Sequence, residues 1–298
     1  MSIYNFRYFI YRVLRKFAYT TNRNLSEEKF DKIYIKILNK FKKNYSMCLF
    51  GNTFHYEFNN DIGFTLYMHG EFEKNEISFC EKFITKNSIV LDIGANIGLH
   101  TVFFSKWAYD GMVFSFEPSH STFNSLIKNV SNDQNVYPLN LGLSNHNSIL
   151  KFYESSDNAY SSLKDTKRKS VVKITNIISY RLDDLFLKLN LEKIDFVKID
   201  VEGFENEVIL GMEQMIKKYQ PIIYCEIYKG VDSNLEPNIT INYLINCGYD
   251  AFVVKGNELR KFVKHEDEFH NYFFVPSLNV SLYSFLNKHK NLSTNVIF

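Results

Sequence analysis

The sequence predicts an α/β protein built on a mostly parallel, Rossmann-like sheet. Three observations carry that prediction. Residues 89–99, IVLDIGANIGL, read as a buried strand, a tight glycine turn and the start of a helix. Short apolar runs then recur at residues 112–116, 135–139, 196–199 and 222–227, alternating with helical spacing. Acidic residues fall at the ends of these runs: Asp92, Glu117, Asp200 and Glu202. Open parallel sheets bind their ligands at the carboxyl ends of their strands.

The chain has 298 residues, 45% of them hydrophobic, enough for one large α/β domain with an extension. The net charge of +2 gives no argument for nucleic acid as a partner. Cys48, Cys80, Cys225 and Cys247 form no CxxC pair, which speaks against zinc and for a reduced, cytoplasmic protein. No apolar run reaches the length of a membrane span, and no secretory signal is recognisable.

From the N-terminus, residues 1–20 predict a helix with Phe6, Phe9, Ile10, Val13, Leu14 and Phe17 on one stripe. Arg7, Arg12, Arg15 and Lys16 surround it, so the helix either docks on the protein itself or lies on an anionic membrane surface. A second helix is predicted over residues 25–43, with Ser26 as its cap. Residues 46–68 suggest short strands joined by an Asn-Asn-Asp turn, with Phe64, Leu66 and Met68 alternating. A helix over residues 72–83 follows, and Glu71 before it is a candidate ligand contact.

After the 89–99 segment, strand 112–116 closes at Glu117-Pro118, and a helix over residues 123–130 leads to strand 135–139. Residues 149–153 begin an excursion. The polar stretch 154–170 is too long for an ordinary turn and reads as a substrate-side lid or a surface loop. Strand 171–177, a helix over 179–190, strand 196–199, a helix over 205–218 and strand 222–227 complete the alternation. A helix at 239–247 precedes two late strands, 249–254 and 271–275, predicted to pair. The organisation expected is an N-terminal extension over 1–68, a core domain over 69–276 and a tail over 277–298.

The spacing Gly94-x-x-x-Gly98 is neither the dinucleotide GxGxxG fingerprint nor a P-loop. Its backbone could still approach a ligand closely, and Asp92 could hold the turn. Glu117 at the second strand end suits a ribose diol, which fits NAD and S-adenosylmethionine equally. Asp200 and Glu202 can face one pocket; Glu226 could join them around a metal, although no metal is the expectation. His100 and His120 are candidate bases near the same edge.

VLDIGANIGLHT, FSFEPS, Ser161-Ser162-Leu163, RLDDL and FVKIDVEGFENEVILGM occur in that order. Together they resemble the FkbM family of S-adenosylmethionine-dependent methyltransferases. The resemblance covers about residues 70–227. It implies a seven-stranded class I methyltransferase fold and O-methylation of a hydroxyl on a sugar, glycan or other small molecule. It implies Asp92, Gly94, Asn96 and Gly98 as the cofactor turn and Glu117 as the ribose-binding acid. Asp200, Glu202 and Gly203 match the acidic segment beside the reaction centre, and Glu71 and Glu226 match further acidic positions. The competing readings are an NAD-dependent oxidoreductase and a non-catalytic Rossmann-like binding protein.

Overall fold

The computed structural model describes residues 3–21, 26–41, 44–58, 60–165, 167, 169–186, 191–227, 237–256, 258–263 and 270–277. The chain divides into two compact units, one within Met1–Lys74 and one within Asn75–Val296. The tail expected beyond residue 277 lies outside the described residues. Among the described residues, no helix is long and apolar enough to cross a membrane.

In the first unit, helices α1 (Ile3–Thr21) and α2 (Glu27–Phe41) precede a hairpin of β1 (Asn44–Leu49) and β2 (Asn52–Glu57), then α3 (Asp61–His69). The hairpin turns at Phe50 and Gly51, both left-handed at φ 49° and 79°, the conformation a tight two-residue turn needs. This corrects the sequence reading, which put the turn at the Asn-Asn-Asp stretch and a strand after it. Asn60 instead caps a helix, its side chain accepting from Gly63 N at 2.6 Å. Gly70 ends that helix at φ 75°. Helix capping outweighed a three-residue alternation that fits both periods. Tyr11, Phe30 and Met68 form one small apolar cluster of this unit, and Leu49, Phe54, Phe58 and Leu66 are buried as well.

The second unit opens with α4 (Lys74–Phe83), β3 (Ile89–Ile93), α5 (Leu99–Trp107), β4 (Met112–Phe116), α6 (His120–Val130) and β5 (Val136–Leu139). A side sheet of β6 (Gly142–Leu143), β7 (Ser148–Ser155) and β8 (Val171–Tyr180) follows. The chain returns through the short α7 (Leu182–Phe186) to β9 (Phe196–Ile199), α8 (Glu205–Leu210), α9 (Glu213–Tyr219) and β10 (Ile222–Glu226). It closes with α10 (Pro237–Asn246), β11 (Tyr249–Lys255), β12 (Glu258–Lys261) and β13 (Asn271–Pro276).

The main sheet runs in the order β12-β11-β13-β10-β9-β3-β4-β5. The pairs from β10 through β5 are all parallel, and β13 is antiparallel to both β10 and β11. Leaving aside β12, this is the seven-strand order of the class I methyltransferase fold. β12 adds an eighth strand at the edge, antiparallel to β11. The switch point lies at β3, whose neighbours β4 and β9 send the chain to opposite sides. All five β3 residues are buried. On one face Leu91, Ile93, Phe114, Val197 and Ile199 pack with Phe186, Val208 and Met215.

Two helices differ from the sequence expectation. The helix predicted over 205–218 is broken between α8 and α9 around Gly211. A Cβ there would lie 2.0 Å from Ser144 O, so the passing backbone requires glycine, and α9 starts afresh with the Gln214 and Met215 amides donating to the Asp183 carboxylate. The helix predicted over 179–190 begins later, because β8 continues through Tyr180; its residues 187–190 lie outside those described. All four cysteines are free thiols.

Candidate cofactor and active site

The turn after β3 holds three left-handed residues: Gly94 at φ 77°, Asn96 at 49° and Gly98 at 89°. Gly94 N and Ala95 N donate to Phe116 O at 3.0 and 2.9 Å, tying the turn to the end of β4. A Cβ on Gly94 would sit 1.7 Å from Asp200 O, so the turn also rests against the segment after β9. Gly98 serves packing: it begins α5, and a Cβ there would lie 2.7 Å from Leu126 Cδ1.

Glu117 is buried just past β4. Asn96 N donates to its Oε2 at 3.0 Å and Ser119 N to its Oε1 at 2.8 Å. Burial raises its pKa to about 7, against the lowering effect of those two amides and of Lys198.

Beside Glu117 opens a small, partly open cleft of about 50 Å³. Gly94, Asn96, Glu117 and Pro118 form one wall, and Leu141, Gly142 and Leu143 another. Phe152, Asn158, Ala159, Ser161 and Leu163 come from the side sheet and its connection. Asp200, Val201 and Glu202 complete it. Residues 158–163 of the polar stretch thus supply one wall of the cleft. Ser162 Oγ anchors it by donating to Val201 O at 3.2 Å. Asn96 Oδ1 and Asn158 Oδ1 are buried and have no hydrogen-bond partner among the described residues. Leaving such oxygens unmatched costs about 1–3 kcal/mol each, a cost that a bound polar ligand would remove.

Behind the cleft lies a buried charge group. The register pairs Asp92 with Lys198 across β3 and β9. Lys198 Nζ lies 3.7 Å from Asp92 Oδ1 and 3.1 Å from Asp200 Oδ2, and donates to Gly94 O at 3.4 Å. Asp92 Oδ2 also accepts from Thr101 Oγ1 at 2.6 Å. Burial works to raise the Asp200 pKa, but Lys198, a hydrogen bond with Glu226 and the nearby His100 outweigh it and lower it. Asp200 therefore remains a carboxylate at neutral pH. Asp200, Glu202 and Glu226 each place a carboxylate oxygen within 4.8 Å of the others, a spacing that could ligate a cation. Glu202 is left-handed at φ 56°, uncommon for a residue with a side chain.

Asn96, Gly94, Glu117, Asp200 and Glu202 therefore meet in one cleft, while Asp92 and Gly98 shape it from behind. Glu71 lies in the first unit, paired with Lys74 at 2.7 Å. His120 is exposed and sits 3.4 Å from Asn140 Oδ1. His100 is buried beside Phe104 and Tyr224. Sequence reasoning turned Lys198 away from the core and missed its role; the available signal was a lysine inside an apolar strand two residues before an acid. It also missed Glu205, buried and accepting from Gly203 N at 2.8 Å.

Burial raises Glu205 to about 7 as well. With folded values above the unfolded 4.5, Glu117 and Glu205 stabilise most below pH 4.5 and lose that contribution as pH rises through about 7. The loss is roughly 3 kcal/mol per group at most. Thermal melts between pH 5 and 8 should show it, and Glu205→Gln should flatten the slope.

The chain is similar to known methyltransferases. The chain is 33% identical over 148 residues to the hexuronic acid methyltransferase AglP of Haloferax volcanii, covering 49% of this chain and 59% of that protein. It is 27% identical over 172 residues to Methyltransferase 1 of Beauveria bassiana, covering 47% and 69%. The chain thus spans about three-fifths of the length of the first relative. Among solved structures, an FkbM methyltransferase from Methylobacillus flagellatus aligns with 70% of this chain and 47% of its own at 15% identity, with a TM-score of 0.44. The methyltransferase FkbM domain matches residues 92–251, more than half of the sequence, and the chain belongs to that family.

Proposed function

We propose that this protein is an S-adenosylmethionine-dependent O-methyltransferase, acting in the cytoplasm on a hydroxyl of a sugar, glycan or other small molecule. The observation that carries the reading is Glu117. Its carboxyl group is held by two backbone amides at the end of the second core strand and faces the cleft. A ribose diol can donate both hydroxyls to such a group. The unmatched oxygens of Asn96 and Asn158 suit hydrogen-bond donors, the donor's α-amino group and the exocyclic amino group of its adenine. Gly94 lets the turn rest against Asp200 O, which keeps its backbone in the cleft wall beside the donor's amino-acid end. When bound, the donor supplies an electrophilic methyl group on a sulfonium.

The chain's own part is to position and to move a proton. Asp200 and Glu202 line the same cleft. As a carboxylate, Asp200 accepts a hydrogen bond from the acceptor hydroxyl and aims its oxygen at the methyl group. The group formed with Glu202 and Glu226 takes up the proton as the ether bond forms. Similarity to a hexuronic acid methyltransferase favours a sugar acceptor.

Calorimetric titration with S-adenosylmethionine and with NAD separates the two cofactor readings: the first should bind and the second should not. Tritiated methyl transfer into cell extract, with mass analysis of the product, then identifies the acceptor. Asp200→Asn should lower kcat by about 10²–10⁴ while leaving donor affinity within a few-fold. Equal binding of NAD, or no methyl transfer by a protein that binds the donor, would refute the proposal.

A further inference from the structure

Helix α1 has two faces, and the more apolar one is not the buried one. Tyr4, Arg7, Tyr11, Arg15, Ala18 and Tyr19 are its buried or half-buried positions. Tyr11 packs edge-on against Phe30 and Phe64 at 5.5 and 6.1 Å. Arg7 lies over the Tyr67 ring at 4.1 Å and donates to Tyr67 O. The opposite face carries Phe6, Phe9, Ile10 and Val13, exposed by 52%, 60%, 36% and 51%. At 100° per residue these four fall on one arc, with Arg12 and Lys16, both exposed, along its flank. Helix α2 repeats the theme, exposing Ile33 and Ile37 among Lys29, Lys32, Lys36 and Lys40.

We infer that this face of α1 docks on an anionic bilayer surface. An exposed aromatic and aliphatic stripe bordered by cations sinks its rings to the acyl boundary, while arginine and lysine extend their heads to lipid phosphates. Charge decides among occupants. Residues 3–21 contain Arg7, Arg12, Arg15 and Lys16 and no acidic residue. A second copy would set these cations against themselves. Residues 278–298 carry Lys288 and Lys290 and likewise no acid. Anionic lipid supplies the missing negative charge along the whole face. The inference is independent of methyl transfer, since its readout is lipid binding alone.

The test is co-sedimentation of the full chain with vesicles of phosphatidylcholine, with and without phosphatidylserine. Binding is expected only to the anionic vesicles, falling as salt rises. Phe9→Asp with Val13→Asp should reduce partitioning more than tenfold, and Arg12→Glu with Lys16→Glu by a similar factor. Far-UV circular dichroism should be unchanged in both, since all four side chains are exposed. Three outcomes overturn the inference. One is equal sedimentation with both vesicle types or with neither. Another is binding seen only after residues 278–298 are removed, which would assign the face to that segment. The last is a dimer in ultracentrifugation that the Phe9 and Val13 changes dissolve.

Discussion

Glu117→Ala should weaken binding of S-adenosylmethionine by at least a hundredfold. On the proposed reading, the carboxyl group does two jobs that alanine abolishes together. Its outer lone pairs face the cleft, where hydrogen bonds between a charged group and two ribose hydroxyls contribute about 1.5–3 kcal/mol each. Its inner ones accept from Asn96 N and Ser119 N, which hold the glycine turn to the end of β4. Loss of the second job alone would lower stability without any preference among ligands. The distinguishing measurement is therefore competition by adenosine and by adenine. The native protein should prefer adenosine, and the variant should lose that preference even at temperatures where it stays folded. The pH dependence follows the same logic. Burial raises the Glu117 pKa to about 7, and a bound diol favours its ionised form. Donor affinity should then rise between pH 6 and 8 and level off above, and this rise should vanish in the variant. A variant that loses stability but keeps the adenosine preference would remove Glu117 from the ribose contact.

The sheet and most of the cleft were legible in the sequence, for physical reasons that particular residues show. Central strands of a parallel sheet are buried on both faces, so IVLDI, MVFSF and FVKI stand out as apolar runs. The left-handed conformation at Gly94 and Gly98 leaves its trace because only glycine adopts it freely. What stayed hidden depends on pairing between distant strands. That Lys198 neutralises Asp92 follows from the register of β9 on β3, which no local pattern encodes. The stretch 154–170 gave no period, because Ser162 and its neighbours are placed by irregular contacts, among them the hydrogen bonds of Ser162 to Val201 O and of Ser155 N to Ser161 Oγ and a bridge to Tyr153. Helix α3 misled for the opposite reason. Phe64, Leu66 and Met68 alternate in sequence, but the Asn60 cap and Gly70 stop decide the conformation. The exposed stripe of α1 was visible as a periodicity; which way it faces was not, because Tyr4, Arg7 and Tyr11 form a competing face of the same helix.

Lys198→Met should destabilise the second unit strongly, by about 3–5 kcal/mol. Methionine matches the volume of the stem and packs well in the β9 environment, so the cost is electrostatic. Lys198 is 2% exposed and lies between two carboxylates, 3.7 Å from Asp92 and 3.1 Å from Asp200. Without it, Asp92 keeps only the hydrogen bond from Thr101, and its other buried oxygen faces no cation. A protein of this size should melt roughly 10 °C lower. The companion change decides between charge and packing. Asp92→Asn in the Lys198→Met background removes the uncompensated charge and should recover about half of the lost stability; a packing defect would be indifferent to it. On the proposed reading, the same lysine also sets the chemistry in front of it. Lys198 holds the Asp200 pKa down against burial, so the variant's residual methyl transfer should require a higher pH to reach its plateau. A melting temperature unchanged by Lys198→Met would mean that the two aspartates already share a proton. Lys198 would then be a bystander, and the negative charge that aims the acceptor hydroxyl would have to come from Glu202 or Glu226.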